Sequence, residues 1–211
     1  MFKLAVLVSG GGTNLQAIID RIADRQLRDV VISGVIASRP GIGACERANR
    51  AGLSCLVIQR SDYSDPSNYD QAMLTALAAW QPDLVVLAGF LSLLGPEVVT
   101  AYRGRIINVH PALIPSFCGK GFYGIRVHEA VIASGVKVSG ATVHLVDERY
   151  DHGPILLQKA IDVRPDDTAR SLQLRVMQEC EQILLPQAIA LFAAGKVQTD
   201  GTTAREEEDL S

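Results

Sequence analysis

The sequence lacks the closely spaced cysteine pairs that hold structural zinc or carry out thioredoxin-type redox chemistry. Its four cysteines are Cys45, Cys55, Cys118 and Cys180, and no two of them are closer than ten residues. A Cys-x-x-Cys pair is the usual signature of both kinds of site. We therefore expect reduced thiols in a chain that relies on its hydrophobic core, and we exclude a small metal-stapled or disulfide-stapled scaffold.

Long apolar runs are also missing. No segment approaches the roughly 18 consecutive apolar residues that a membrane-spanning helix needs. The N-terminus offers only a five-residue apolar run, residues 4–8, before small residues begin, and this is too short for the core of a secretory signal. The sequence therefore predicts a cytoplasmic protein that neither spans a membrane nor is secreted.

Net charge is small, at −3 for 211 residues. Residues 198–211 contain five acidic residues and one arginine, so the rest of the chain is close to neutral. A neutral body gives no broad basic surface for nucleic acid or an anionic membrane, and small molecules are the expected ligands. The acidic tail from residue 198 has no hydrophobic periodicity, and we predict that it is disordered.

Two familiar nucleotide motifs are incomplete. The segment Ser9-Gly10-Gly11-Gly12-Thr13-Asn14 lies between a predicted strand and helix, but a dinucleotide fingerprint starting at Gly10 would require glycine where Leu15 stands. The pair Gly119-Lys120 is followed by glycine and precedes no predicted helix, which disfavours a P-loop. The glycine-rich segment is thus either an anion site that uses backbone N–H groups or a tight turn needed for packing.

A serine nucleophile is a minor alternative for the same segment. Ser9 follows a strand and precedes a helix, as in a nucleophile elbow, but Leu7 replaces the first glycine of that motif.

Short β-rich runs alternate with segments of helical period through the first half of the chain. Several of these runs are apolar on both faces, as expected for strands covered by helices on both sides. The pattern predicts an α/β fold with an open, mostly parallel, doubly wound sheet. The strand and helix pairs are 4–9 with 14–25, 30–37 with 44–51, 55–58 with 66–80, and 84–88 with 96–102.

The second half changes character. Residues 105–110 predict a fifth strand, whereas residues 138–147 and 154–163 predict two strands joined by a short loop, which suggests an antiparallel edge. A long helical segment spans about 167–194, with Thr168 near its cap, and Pro186 predicts a kink or break inside it.

All four histidines, His110, His128, His144 and His152, fall within 43 residues. Their spacing matches no zinc motif, because the segment that starts at His128 has Ile132 where HExxH requires histidine. No metal is expected. We interpret His128 as a surface helix residue and His144 as a hydrogen-bonded core residue.

Asn108 and His110 are the pair of polar residues that most strongly indicates a functional site. They are two apart at the end of a predicted strand, so they share one face, and the carboxyl ends of strands are where open α/β sheets bind ligands. An amide donor and an ionisable imidazole suit an oxyanion and a leaving group. Asp151, in the loop Tyr150-Asp151-His152-Gly153-Pro154, could orient His110. Ordinary strand-end polar residues and a solvated turn aspartate remain the alternatives.

Three blocks together resemble one known family. They are Leu7-Val8-Ser9-Gly10-Gly11-Gly12-Thr13-Asn14-Leu15-Gln16, Asn108-Val109-His110-Pro111-Ala112-Leu113-Ile114-Pro115-Ser116-Phe117, and Gly140-Ala141-Thr142-Val143-His144 followed by Asp151-His152-Gly153-Pro154. In this order and spacing they are similar to the phosphoribosylglycinamide formyltransferase family of folate-dependent formyltransferases. The resemblance covers about residues 1–195 and implies a Rossmann-like formyltransferase fold. It implies one catalytic domain over 1–197, with a nucleotide half at 1–104 and a catalytic, folate-binding half at 105–197, followed by the tail at 198–211.

The resemblance also implies roles for individual residues. Formyl transfer from 10-formyltetrahydrofolate, as cosubstrate, to the amine of glycinamide ribonucleotide in purine biosynthesis would need a phosphate site, a folate site and an acid. The implied residues are Gly12, Thr13 and Asn14 for the phosphate; Leu91, Ser92, Leu93, Leu94 and Asn108 for the folate; Asn108, His110 and Asp151 for catalysis, with His110 as general acid; and, less firmly, Gln178 and Glu181 for the nucleotide.

Two further expectations concern the chemistry. The charge of Asp151 is expected to outweigh desolvation and to raise the pKa of His110. Ser92 and Pro66 stand at positions where members of the family commonly have basic residues, and both differences would affect folate binding.

Alternatives within the superfamily are a formyltetrahydrofolate deformylase and a methionyl-tRNA formyltransferase, both disfavoured by chain length. A non-catalytic nucleotide or folate binding module and an NAD oxidoreductase are the alternatives from other classes. The protein is expected to act on small molecules as a monomer or homodimer.

Overall fold

A seven-stranded sheet organises the protein, and its strands lie in the order β3 (Cys55–Val57), β2 (Val30–Ala37), β1 (Phe2–Val8), β4 (Leu84–Leu87), β5 (Ile106–His110), β6 (Val138–Leu145) and β7 (Ile155–Asp162). The computed structural model describes residues 1–199 and 204–206. It divides into two units, Met1–Ile107 and Asn108–Ser211, and strand β5 (Ile106–His110) contains the point of division.

The first unit is a parallel βα array. Strand β1 pairs in parallel with both β2 and β4, and β2 pairs in parallel with β3. Residues 4–8 are completely buried, which explains why this strand is apolar on both faces. The elements are β1 (Phe2–Val8), α1 (Thr13–Ala23), β2 (Val30–Ala37), α2 (Gly43–Arg50), β3 (Cys55–Val57), a 3-10 turn (Arg60–Asp62), α3 (Pro66–Trp80), β4 (Leu84–Leu87) and α4 (Pro96–Ala101).

The second unit contains the antiparallel edge. Strand β6 (Val138–Leu145) pairs antiparallel with β7 (Ile155–Asp162), with Gly140 opposite Ala160. Helix α5 (Ile125–Ser134) precedes β6. Strand β6 is buried from Ser139 to Leu145, whereas β7 alternates between exposed and partly buried residues, as an edge strand should.

The C-terminal helical segment contains a local change of winding. Thr168 caps helix α6 (Ala169–Val176) in a reciprocal box with Ser171. A π-helical turn (Met177–Glu181) then leads into α7 (Gln182–Ala193), which runs through Pro186. The interruption predicted at Pro186 thus lies one turn earlier. Proline lacks an N–H and collides with the preceding turn, and a π turn is one way for a helix to absorb such a misfit.

The prediction of disorder from residue 198 needs correction where the structure describes that segment. Strand β8 (Val197–Thr199) pairs antiparallel with β9 (Ala204–Glu206). The hydrogen bonds of such a pair join backbone groups, so acidic side chains do not prevent it. The remainder of the predicted tail, 200–203 and 207–211, lies outside the described residues.

The predicted fold class is confirmed: the sheet is mostly parallel and carries an antiparallel edge, and a long helical segment follows it. The strand order 3-2-1-4-5 is that of doubly wound nucleotide-binding folds. Within the described residues, no helix combines the length and hydropathy required to cross a bilayer.

Replacing Gly140 with alanine is expected to destabilise the fold by about 1–3 kcal/mol, the usual cost of overpacking. An added Cβ would lie 2.0 Å from the Lys159 carbonyl oxygen and 2.9 Å from Leu113 Cδ2. Urea unfolding of Gly140→Ala measures the cost. Gly10→Ala is the control, because nothing lies within 4 Å of its added Cβ. Equal stability of the two variants would contradict this packing analysis.

Candidate active site

Asn108, His110 and Asp151 come together at the end of β5. Asn108 and His110 alternate along the strand and share a face. The Asn108 amide Nδ2 donates to Asp151 Oδ1 at 3.4 Å, and His110 Nδ1 lies 3.5 Å from Asp151 Oδ2. The side chains of His110 and Asp151 are only 4% and 12% exposed. The three residues that the sequence singled out as catalytic therefore form one cluster in the second unit, in which His110 is buried and Asn108 and Asp151 are partly buried.

Asp151 is held by groups from several segments. The loop between β6 and β7 presents it with a positive φ of 48°. The backbone N–H of Gly119 donates to its Oδ2 at 2.9 Å, and His144 Nε2 lies 3.7 Å from its Oδ1. Burial raises the pKa of Asp151, but contacts with His144, His110 and the Gly119 amide outweigh this effect and hold the pKa below its ordinary value. Asp151 is therefore a carboxylate at neutral pH.

The predicted direction of the His110 pKa shift is wrong. Burial lowers the pKa of His110 below its ordinary value, and the opposing effects of Asp151 and the Phe117 carbonyl do not restore it. His144 lowers the pKa further. The carboxylate is 3.5 Å away and shared with other partners, so its charge does not overcome the desolvation of an almost fully buried ring. The resting imidazole is consequently mostly neutral at neutral pH.

His144 is a buried, hydrogen-bonded core histidine, as predicted, and it also orients Asn108. Its Nδ1 donates to the Leu145 carbonyl oxygen at 2.8 Å, which fixes the proton on Nδ1 in the neutral ring and leaves Nε2 as an acceptor. Asn108 Nδ2 lies 3.1 Å from that Nε2. The Leu145 carbonyl therefore sets the His144 tautomer, and the tautomer sets which way the Asn108 amide faces.

The segment after β5 closes over this cluster. His110 Nε2 lies 2.9 Å from the carbonyl oxygen of Phe117, a residue with a positive φ of 52°. Thr142 anchors the same segment: its hydroxyl donates to the Ala112 carbonyl at 2.7 Å and accepts from the Ile114 N–H at 3.1 Å. Gln158 Nε2 donates to the Ile114 carbonyl at 3.0 Å.

Sequence reasoning missed Thr142 and Gln158 as supports. The usable signal was that Thr142 and His144 alternate on β6 and therefore share a face.

In the first unit, the glycine-rich loop (residues 9–14) has the form of an anion site. Gly12 has φ 75° and caps the N-terminus of α1, where N–H groups and the helix dipole favour negative charge. An added Cβ at Gly12 would lie 2.7 Å from the Cα of Ala44, whereas Gly10 and Gly11 face open space. Gly12 is thus required by packing against α2, and Gly10 and Gly11 leave room for a ligand to approach the backbone.

Arg47 supports this loop and was missed by the sequence analysis. Its Nε donates to the Gly11 carbonyl at 2.8 Å, and its guanidinium also bonds Gln16. Thr13 is the first residue of α1, and Asn14 is buried. A cation fixed to the loop adds to the positive potential of the helix terminus.

The segment with Leu91, Ser92, Leu93 and Leu94 meets the glycine-rich loop through Ser9. The Ser9 hydroxyl accepts from the Leu91 N–H at 2.8 Å and from the Ser38 hydroxyl at 2.7 Å. These partners are not bases, so they give Ser9 a structural role rather than that of an activated nucleophile. Leu91 and Leu93 are half-exposed and Leu94 is buried.

Gln178 and Glu181 both lie on the π-helical turn, which packs against β6 and β7. Such turns are frequent at functional sites. Their contact with a nucleotide remains a prediction.

The other two histidines, His128 and His152, are not part of the cluster around Asp151. His128 is fully buried on α5 beside Val127 and Val131, so the prediction of a surface residue is wrong. Burial, with a smaller effect of His110, lowers its pKa to about 4. His152 is half-exposed and lies 2.6 Å from Asp147. Within residues 1–199 and 204–206, no group of three or more His, Cys, Asp or Glu side chains is arranged to hold a metal.

Comparison with known proteins gives a consistent result. A family model described as formyl transferase matches residues 2–189. The chain is 42% identical over 183 residues to the chloroplastic phosphoribosylglycinamide formyltransferase of Arabidopsis thaliana, covering 84% of this chain and 61% of that protein. It is 39% identical over 196 residues to the trifunctional purine biosynthetic protein adenosine-3 of Drosophila melanogaster, covering 92% and 14%. The chain thus spans less than two thirds of the length of these relatives.

Among solved structures, glycinamide ribonucleotide transformylase 1 from Symbiobacterium toebii superposes with a TM-score of 0.91 at 38% identity, covering 99% of this chain and 95% of that one. The resemblance drawn from the three sequence blocks is confirmed. From the family model, the sequence identities and the superposition, this chain belongs to the formyl transferase family.

Proposed function

We propose that this chain transfers a formyl group from 10-formyltetrahydrofolate to the amine of glycinamide ribonucleotide, a step of purine biosynthesis. The observation that carries the proposal is the partly buried cluster of Asn108, His110 and Asp151 in a chain of this family. Relatives named phosphoribosylglycinamide formyltransferase support the substrate assignment.

The amine attacks the formyl carbon, and a negative oxygen and a positive nitrogen develop together. Asn108 is the proposed donor to the oxygen. Both of its amide hydrogens face His144 and Asp151 in the resting site, so it must exchange one of these partners for the developing oxyanion. Such a donor is most effective when it is already aligned in a dry site, and the Asn108–His144 contact supplies that alignment.

His110 is the proposed carrier of the proton. Its neutral form can accept the proton that the attacking nitrogen loses, and the imidazolium then gives this proton to the folate nitrogen as the carbon–nitrogen bond breaks. One proton is taken up and one released, so the ring returns to its starting state. In the resting neutral ring Nε2 carries the proton and donates it to the Phe117 carbonyl. Once substrate replaces that carbonyl, Asp151 favours a proton on Nδ1, and Nε2 then exchanges its proton with substrate.

The glycine-rich loop is the proposed phosphate site. Gly12, Thr13 and Asn14 open helix α1, and the N–H groups of a helix start bind phosphate well. Leu91, Ser92, Leu93 and Leu94, with Asn108, are the proposed folate contacts, and the half-exposed leucines supply apolar surface for a flat ring. Gln178 and Glu181 are the proposed further contacts of the nucleotide.

The other parts of the proposal concern context. We infer that residues 1–197 act as one catalytic domain on small molecules in the cytoplasm, as a monomer or homodimer, with 10-formyltetrahydrofolate as cosubstrate and without a metal.

The test is to mix the protein with glycinamide ribonucleotide and 10-formyltetrahydrofolate carrying a labelled formyl group. Label in the nucleotide product supports the proposal. Label released as formate, equally with and without nucleotide, would instead identify a deformylase. Binding of both ligands without turnover would identify a binding module.

Gly11→Val is expected to weaken nucleotide binding at least tenfold while leaving folate binding unchanged. The added side chain enters the open space at Gly11, where a phosphate would approach the backbone. Calorimetric titration with each ligand separately measures the two affinities, and the melting temperature checks the fold. An unchanged nucleotide affinity would contradict the assignment of the phosphate site to this loop.

Asn108→Ala is expected to lower turnover by about 10²–10³, the usual loss for one oxyanion donor, with a smaller effect on KM. Steady-state kinetics measure both constants. Asn68→Ala, at an exposed position of α3, is the matched control and should retain parental turnover. Turnover of Asn108→Ala within about twofold of the parent would show that another group binds the oxyanion.

Asp151→Asn is expected to lower the pKa of His110 further, because the carboxylate is the main charge that raises it. The imidazolium formed during proton transfer then loses its counter-charge, so turnover should fall as well. NMR titration of the His110 ring gives the pKa. Asp147→Asn, which removes the partner of His152 instead, is the control and should leave His110 unchanged. A His110 pKa that rises or stays constant in Asp151→Asn refutes the pairing.

A further inference from the structure

Cys45 lies on helix α2 and Cys55 on strand β3, and this helix and this strand pack against each other. Cys45 lies in the first turn of α2, five residues or about 7.5 Å of helix before Arg50. The chain then reverses through a turn in which the Leu53 N–H donates to the Ala48 carbonyl at 2.9 Å. Cys55 is the first residue of β3, and this strand packs against helix α2. The reversal therefore returns Cys55 to the level of Cys45.

The two thiols are in contact and accessible. Burial, together with a hydrogen bond to the Cys45 thiol and the charge of that group, raises the pKa of the Cys55 thiol to about 12. Both side chains are partly exposed, in contrast to buried Cys180. Cys55 consequently stays protonated at neutral pH.

The same turn of α2 holds the glycine-rich loop. The Ala44 N–H donates to the Gly10 carbonyl at 3.1 Å, and Arg47 Nε donates to the Gly11 carbonyl at 2.8 Å. Gly12 packs so closely on Ala44 that no side chain fits between them. Cys45 lies between these anchoring residues, so a movement of Cys45 toward β3 must move the contacts of the loop.

We propose that Cys45 and Cys55 form a reversible disulfide that reshapes the glycine-rich loop. A disulfide requires a sulfur–sulfur separation of about 2.05 Å, which is shorter than any hydrogen-bonded contact between thiols. Closing the bond draws the first turn of α2 toward β3 and pulls on the loop that the turn supports. The site is a redox modification site, distinct from the cluster around His110.

The oxidant is a soluble disulfide such as oxidised glutathione. The Cys45 thiolate attacks one sulfur of the oxidant, which forms a mixed disulfide and releases one thiolate. The Cys55 sulfur, losing its proton to solvent, then attacks the Cys45 sulfur and releases the second thiolate. Two protein thiols are oxidised, one soluble disulfide is reduced to two thiols, and the two protons end on those thiols.

The test begins with the full chain in oxidised glutathione, followed by alkylation of free thiols and tryptic digestion without reductant. Cleavage after Arg47 and Arg50 separates the two cysteines, so a Cys45–Cys55 disulfide appears in mass spectra as two joined peptides. We expect this species in the parent and in Cys118→Ser, and its loss in Cys55→Ser. Its absence while Cys118 has reacted with the oxidant overturns the proposal, because Cys118 is also partly exposed.

Hydrogen exchange of the backbone amides at 10–14 gives the second readout. We expect exchange rates there to change at least about threefold on oxidation, to return on reduction, and to stay constant in oxidant-treated Cys55→Ser. A disulfide that forms without altering these rates overturns the proposed coupling. Neither readout uses a substrate, so the outcome is independent of the proposed formyl transfer.

Discussion

The carboxylate of Asp151 is the point on which the second unit's site depends. One oxygen accepts from the Gly119 N–H and faces His110, and the other accepts from Asn108 and faces His144. The carboxylate thus joins the end of β5, the segment that follows it and strand β6. Without the charge, the groups that it aligns would keep their positions in the chain but lose their common partner.

Burial and charged or hydrogen-bonding neighbours shift the pKa values in this cluster in opposite directions, and a different effect dominates at each residue. Asp151 keeps a lowered pKa because several donors surround it, whereas His110 has a lowered pKa because its ring is almost completely desolvated. The result is a carboxylate beside a neutral imidazole. That pair suits a reaction in which a proton is received and then passed on, because the resting ring has room for the proton and Asp151 stabilises the cation once it forms.

The sequence predicted the parts of the fold that depend on local pattern. Apolar runs such as 84–87 marked buried strands, and the spacing of Asn108 and His110 placed them on one face of β5. It failed where backbone groups act, because a carbonyl at Phe117 or an N–H at Gly119 is present whatever the side chain. It also misplaced His128, since a single histidine in a helix does not reveal which neighbours cover it.

The pKa of His110 shows a further limit of sequence reasoning. The direction of its shift depends on the 3.5 Å distance between His110 Nδ1 and Asp151 Oδ2 and on the almost complete burial of the ring. Neither can be read from residue types. Arg47 was missed for a related reason, because its contact with Gly11 joins residues 36 positions apart.

We propose that Asn108, His110 and Asp151 act in catalysis as one unit held by the Asp151 carboxylate. A double-mutant cycle on kcat/KM with Asn108→Ala and Asp151→Asn tests it most directly. When residues act as one unit, removing either of them already abolishes most of the activity. We therefore expect kcat/KM of the double variant to be close to that of the less active single variant. Losses that simply multiply would show that the two residues act independently and would contradict the account.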